Sequence, residues 1–135
     1  MKLGPETLEQ IAVIVWIRVK HPKVFPHVIH IANERKASKL RGYILKRCGL
    51  KPGASDLFIA YPNGRSCGLF VEMKSLKGRI SPSQQEFVDL MSKSGYEAKV
   101  CFGAEQAIET ISVYLNEQLL NPVVPLNSAA YKQSS

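Results

Sequence analysis

Two apolar segments, Asp56 to Tyr61 and Cys67 to Lys74, lie on either side of Pro62-Asn63-Gly64-Arg65. Asn-Gly between two strand-like runs is the strongest short-range signal for a β-hairpin. A hairpin constrains whatever it carries, because side chains alternate between its two faces. On the second strand Leu69, Val71 and Met73 share one face, and Phe70, Glu72 and Lys74 share the other. With Asn63-Gly64 at the tip, residue i faces residue j where i + j is near 127, which sets Asp56 opposite Val71 and one position from Glu72. A longer loop or a bulge shifts the pairing by one residue, and the two carboxylates still occupy neighbouring places on adjacent strands.

An acid and a lysine inside an apolar strand are oddly placed, because buried charge is costly unless it is paired or bound to a metal. Two adjacent carboxylates repel unless one is protonated or a cation lies between them. A divalent cation resolves that conflict, and oxygen ligands suit Mg²⁺ or Mn²⁺ rather than zinc. Such an ion polarises a phosphoryl oxygen and acidifies a bound water. Lys74 would then orient the water or stabilise charge that develops in the transition state. The competing reading is a plain salt bridge among Glu72, Lys74 and Asp56 on an exposed sheet face. The hairpin geometry alone leaves both open.

The rest of the chain supplies a setting. Pro5 suits a first helical position, and Leu8, Ile11, Ala12, Val15 and Val19 recur at helical spacing, so a helix is predicted over residues 6–19 with that stripe inward. A short strand is predicted over 27–32, and a basic helix over 36–48 with Leu40, Ile44 and Leu45 inward and Gly49 ending it. Ser81-Pro82-Ser83-Gln84 has the form of a capping box opening a third helix, whose predicted buried face is Phe87, Val88, Leu90 and Met91. Glu97 to Phe102 is a predicted strand and Glu105 to Leu119 a last helix. The order is α-β-α-β-β-α-β-α, which implies an α/β fold with a mixed β-sheet flanked by helices. A single domain over 1–119 and a loose tail over 120–135 are expected.

Composition narrows the functional classes. The net charge of +7 over 135 residues favours an acidic partner, and nucleic acid is the commonest. The three cysteines, Cys48, Cys67 and Cys101, are odd in number and form no CxxC pair, so neither a disulfide framework nor a thiolate zinc site is indicated. Reduced, mostly buried thiols are expected, in keeping with a cytosolic compartment. The longest apolar run, Ile11 to Ile17, falls short of the roughly 20 residues of a membrane span. No signal-peptide pattern is visible, so a soluble, intracellular protein is expected.

Gly53-Ala54-Ser55-Asp56-Leu57-Phe58 resembles the G-x-P-D-L-F segment of the virus-type replication-repair nuclease (VRR-NUC) branch of the PD-(D/E)xK superfamily. Gly68-Leu69-Phe70-Val71-Glu72-Met73-Lys74 resembles its G-L-[FY]-[IV]-E-x-K strand, and Lys77 to Gln84 its K-G-x-x-S-P-x-Q segment. The ordered series runs from about Glu6 to Leu115. The resemblance implies a restriction-endonuclease-like fold and a Mg²⁺- or Mn²⁺-dependent endodeoxyribonuclease. In it Asp56, Glu72 and the Met73 carbonyl would be metal ligands, Lys74 the catalytic lysine and Gln84 the trailing glutamine.

Glu6 and Gln10 resemble an E-x-x-x-Q on the family's first helix, with Glu6 a further acid at the site. An acid that simply favours the helix dipole explains Glu6 equally well. Gln84 likewise has a capping role available, which is compatible with a site role if its side chain turns inward. Glu34 stands where the family often has I-P-N-G, and either reaches the metal or caps the second helix. Ser55 replaces the usual proline before Asp56. Arg35, Lys36, Lys39, Lys77 and Arg79 are candidates for phosphate contacts, which position DNA without reading its sequence. His27 and His30 are read as structural, on opposite faces of their strand.

Stand-alone members of this branch, of phage and bacterial type, resemble Holliday-junction resolvases that cut four-way DNA junctions as homodimers. The resemblance therefore implies branched DNA as partner, a homodimer, and the cytoplasm of a bacterial or phage-infected cell. Ile14, Trp16 and Ile17 make the first helix apolar on more than one face, as either a dimer surface or a buried core helix. A non-catalytic DNA-binding module, or a restriction-type or flap-directed nuclease, is the alternative.

Overall fold

The computed structural model describes residues 2–32 and 38–120, with side chains to residue 116. In chain order the elements are α1 (Pro5–Lys20), a 3-10 turn (Phe25–His27), β1 (Val28–His30), α2 (Lys39–Arg47), β2 (Leu57–Ile59), β3 (Leu69–Lys74), α3 (Pro82–Ser92), β4 (Glu97–Phe102) and α4 (Ala104–Leu120). This is the predicted order, with shorter strands. The four strands form one sheet in the order β1-β2-β3-β4. β1/β2 and β2/β3 are antiparallel, while β3/β4 is parallel. Parallel neighbours need a crossover connection, and α3 provides it.

Every residue of β3 is buried. Alternation along the strand sorts its side chains between two cores. Leu69, Val71 and Met73 join Leu57 and Ile59 in a cluster with Val13 and Ile17 of α1 and Ala107, Ile111 and Tyr114 of α4. Phe70 faces the other way, with Phe87 and Val88 of α3 and Ala98 of β4. The Phe58 and Phe70 rings, paired across β2 and β3, stack 4.3 Å apart. Glu72 and Lys74 therefore stand on the α3 side of the sheet, flanked by aromatic packing.

The hairpin register differs from expectation by one residue: Leu57, not Asp56, pairs with Val71. The connection runs from Ala60 to Gly68 and is no two-residue turn. Asn63 is fully buried and organises it. Its side-chain oxygen accepts from the backbone N–H of Arg65 (3.0 Å) and Ser66 (2.8 Å), and its amide donates to the Tyr114 carbonyl (3.1 Å). Tyr114 donates its hydroxyl to the Tyr61 carbonyl at 2.7 Å, so α4 and this loop hold each other. Gly68 admits the stacked pair, since a Cβ there would lie 2.7 Å from the Phe58 ring.

Two helices present different faces from those predicted. In α1 the stripe Leu8, Ile11, Val15 and Val19 is exposed, and the inward residues are Val13 and Ile17. Glu6, Glu9 and Gln10 lie toward that inward side: the Glu9 carboxylate accepts from the backbone N–H of Ala104 at the start of α4. In α2 Leu40 and Ile44 are exposed and only Gly42 and Leu45 are half-buried. In α3 Phe87 and Val88 are buried as expected, but Leu90 is exposed. Periodicity gives a helix an apolar stripe; it does not say which neighbour covers it.

Two of the three thiols were expected to be buried and are not: Cys48 and Cys67 are exposed, and only Cys101 is buried. Burial raises the Cys101 thiol above its ordinary pKa, against smaller opposite pulls from Thr110 and Lys99. Among the described residues no helix is long and apolar enough to cross a membrane. Since the thiolate is the reactive form, a disulfide-exchange reagent at pH 8 is expected to label Cys48 and Cys67 rapidly in the native protein. Cys101 should react only after unfolding; a third rapid equivalent would contradict this packing.

Candidate active site

The backbone places two carboxylates at the end of the β2–β3 ladder. Continuing the observed pairing by one residue sets Asp56 across from Glu72. Asp56 precedes β2, and its Oδ2 accepts from the backbone N–H of Met73 at 2.7 Å. That bond satisfies a β3 donor lying beyond the end of β2 and fixes the Asp56 carboxylate beside Glu72 and Lys74.

Glu72 is 1% exposed. A carboxylate so deeply buried must be matched by donors or opposite charge. Gln84 donates Nε2 to Glu72 Oε1 at 2.8 Å, and Lys74 Nζ stands 3.8 Å from the same oxygen. Lys74 is itself buried.

Gln84 performs both roles that the sequence offered. Its Oε1 accepts from the backbone N–H of Ser81 (2.9 Å) while Ser81 Oγ accepts from the Gln84 N–H (3.3 Å), which completes the capping box. The other end of the same amide holds Glu72. One side chain thus fixes the start of α3 to the charged face of β3. Gly53 lets the preceding loop reach this point. Its φ is +85°, and a Cβ there would lie 2.4 Å from the Ser83 carbonyl oxygen.

Two clefts lie in this part of the molecule. One, of about 650 Å³, is lined by Asp56, Met73, Glu6, Gln10, His30 and Arg18, among others. Glu6 thus shares a cleft with Asp56, rather than only opening its helix. The other, of about 410 Å³, is lined by Lys74, Gln84, Arg79, Ser81, Ser83 and Gly53. It carries two cationic side chains and no acid among its lining residues. Asp56 and Met73 thus line one cleft, and Lys74 and Gln84 the other.

His30 belongs to the acidic cleft, which strand spacing did not reveal. The β1–β2 pairing brings it there: Ile31 N–H donates to the Asp56 carbonyl at 2.8 Å, and His30 Nδ1 lies 3.2 Å from the same oxygen. Gln10 Nε2 lies 3.0 Å from the same Nδ1, which either accepts from that amide or donates to the carbonyl, according to the tautomer. His27 instead packs edge-on against Tyr61, a structural role as expected. Lys39 and Lys77 are exposed, and Glu34, Arg35 and Lys36 lie outside the described residues.

The family model of the VRR-NUC domain matches residues 6–105. A solved structure named "VRR_NUC domain protein" is 28% identical, superimposes with a TM-score of 0.74, and covers 86% of this chain and 92% of its own. No curated protein matches the chain.

Removing the Gln84 amide strips a donor from buried Glu72 and half of the capping box from α3. Gln84→Ala is expected to lower stability by about 2 kcal/mol in urea denaturation. Ser55 is fully buried, and its hydroxyl has no hydrogen-bond partner among the described residues. Ser55→Ala should therefore leave stability unchanged or raise it by about 1 kcal/mol. A clear loss would mean that the hydroxyl is engaged.

Proposed function

The chain belongs to the VRR-NUC domain family, a nuclease family, and from that membership we propose that it is a divalent-metal-dependent DNA endonuclease, selective for branched DNA such as four-way junctions and acting as a homodimer in the cytoplasm. The observation that carries the reading is Glu72: a buried carboxylate beside a buried lysine, with Asp56 at the adjoining place on the next strand.

The donor set fits the proposed ion. Among the described residues no three His, Cys, Asp or Glu side chains cluster closely enough to hold a metal ion, so the ion would rest on two carboxylates and a carbonyl. Magnesium suits such a site, since it keeps several waters and takes one or two carboxylates. Asp56, Glu72 and the Met73 carbonyl would hold it, with Glu6 a further acid in the same cleft. When bound, the ion supplies Lewis-acid activation of a phosphodiester and of water.

The chain's own side chains have separate tasks. Gln84 and Lys74 hold Glu72 in place, and Gln84 keeps the Glu72 carboxylate oriented. Lys74 offers a charged donor in a site largely closed to water, where it stabilises negative charge on the phosphoryl oxygens more strongly than it would in bulk solvent. Arg79, with the Ser81 and Ser83 hydroxyls, lines the adjoining basic cleft and would position a neighbouring phosphate. Two-fold symmetry would set two such sites for paired cuts.

With Mg²⁺ and a labelled four-way junction, flap or linear duplex, the wild type is expected to cut the junction in preference. Asp56→Ala and Lys74→Ala should each lower the rate at least about a hundredfold, and chelation should abolish cutting. Undiminished cleavage by either variant would sink the assignment of the site. Binding without cutting would point to a non-catalytic module, and cuts at one sequence in linear duplex to a restriction-type enzyme. Sedimentation should give a dimer; a monomer that still makes paired cuts would remove the symmetry argument.

A further inference from the structure

Helix α2 is built inside out. The sequence Lys39–Arg47 contains four basic residues, Lys39, Arg41, Lys46 and Arg47, and no acid. Leu40, Tyr43, Ile44 and Arg47 are spaced i, i+3, i+4, i+7 and so form one stripe. The half-buried positions of α2, Gly42 and Leu45, lie on the opposite side, so the stripe faces away from the body of the protein. Leu40, Tyr43 and Ile44 are 70%, 60% and 50% exposed. The Arg47 guanidinium lies over the Tyr43 ring, 5.8 Å from its centroid. An exposed apolar stripe rimmed by charge marks an interaction surface.

Its charge selects the occupant. A second copy meeting this face across a two-fold axis would bring the same four cations against each other, with no acid on either helix to offset them. A polyanion has the opposite effect. Bases that stack on tyrosine and on arginine planes account for the apolar stripe, and phosphates for the lysines. Paired bases inside a duplex keep their faces covered by their neighbours, so a stacking surface favours unpaired ones.

The helix is also close to the site. Gly53 lies six positions after Arg47, a reach of no more than about 22 Å, and Gly53 lines the basic cleft with Lys74 and Arg79. We infer that the outer face of α2 is a second nucleic-acid contact of this chain, one that stacks on unpaired bases of the strand leaving the basic cleft, with Tyr43 as its anchor. This deepens the nuclease reading and rests on it for the choice of DNA. It also gives a reason for preferring branched or tailed DNA over plain duplex.

The test measures binding without divalent metal, so that no strand is cut. A fluorescent duplex carrying a single-stranded thymidine tail is compared with a blunt duplex of equal phosphate number. The wild type is expected to bind the tailed DNA about tenfold more tightly. Tyr43→Ala should remove that preference and leave blunt-duplex affinity within about twofold, with unchanged thermal melting because the residue is exposed. Tyr43→Trp should keep the preference, and its emission should be quenched by an oligothymidine.

No tail preference in the wild type, or a preference that survives in Tyr43→Ala, overturns the proposal. So does a free dimer that Tyr43→Ala converts to monomers, which would make the stripe a self-association face. Cleavage is read separately: a protein that cuts but ignores the tail sinks this inference alone, and one that prefers the tail but never cuts sinks only the nuclease reading.

Discussion

The Glu72 carboxylate lies in the middle of the central strand, almost without solvent, on a face otherwise packed by aromatic rings. Taking an ionised carboxylate out of water costs several kcal/mol unless donors and opposite charge compensate it. Gln84 donates to one of its oxygens and the buried Lys74 ammonium faces the same oxygen. Other local features follow from that requirement. The capping box at Ser81 fixes Gln84 on the first turn of α3, Gly53 lets the preceding loop approach that turn, and the parallel β3–β4 crossover brings α3 back over the charged face of β3. The orientation of Glu72 and the attachment of α3 share a single glutamine.

The remaining polar groups of the site are held by backbone rather than by other side chains. Asp56 is oriented by the Met73 N–H, and His30 by the Asp56 carbonyl. Both contacts occur at the end of the sheet ladder, where the Met73 N–H lies beyond the end of β2. Functional side chains placed at the end of a sheet, beside a more rigid core, gain precision without needing a buried polar network of their own. The two clefts divide by charge, one carrying Glu6 and Asp56, the other Lys74 and Arg79.

Helices α1 and α2 share an inversion with functional weight. In α1 the polar residues Glu6, Glu9 and Gln10 are turned toward the body of the protein, where Glu6 lines the cleft and Glu9 caps α4, and an apolar stripe is left outside. In α2 the apolar stripe also faces out, but it carries a rim of cations. The two stripes differ in charge: the first is nearly uncharged, and the second lies among four cations.

The amino-acid sequence by itself determined the order of elements, the alternation on β3, the capping box and the ordered motifs from Gly53 to Gln84. Each depends on local geometry: the two-residue period of a strand, the first turn of a helix, the steric demands of glycine. Gln84 was legible as a cap, and turned out to hold Glu72 as well. Tertiary structure alone decided the one-residue shift of the hairpin, because buried Asn63 organises a longer loop against Tyr114. It alone brought His30 to Asp56, through a strand pairing between distant segments. It also decided which faces of α1 and α2 are covered. A helix with apolar residues all around has no inward side until neighbours choose one, and in α1 the chosen side carries Val13 and Ile17, with Glu9 reaching the Ala104 N–H.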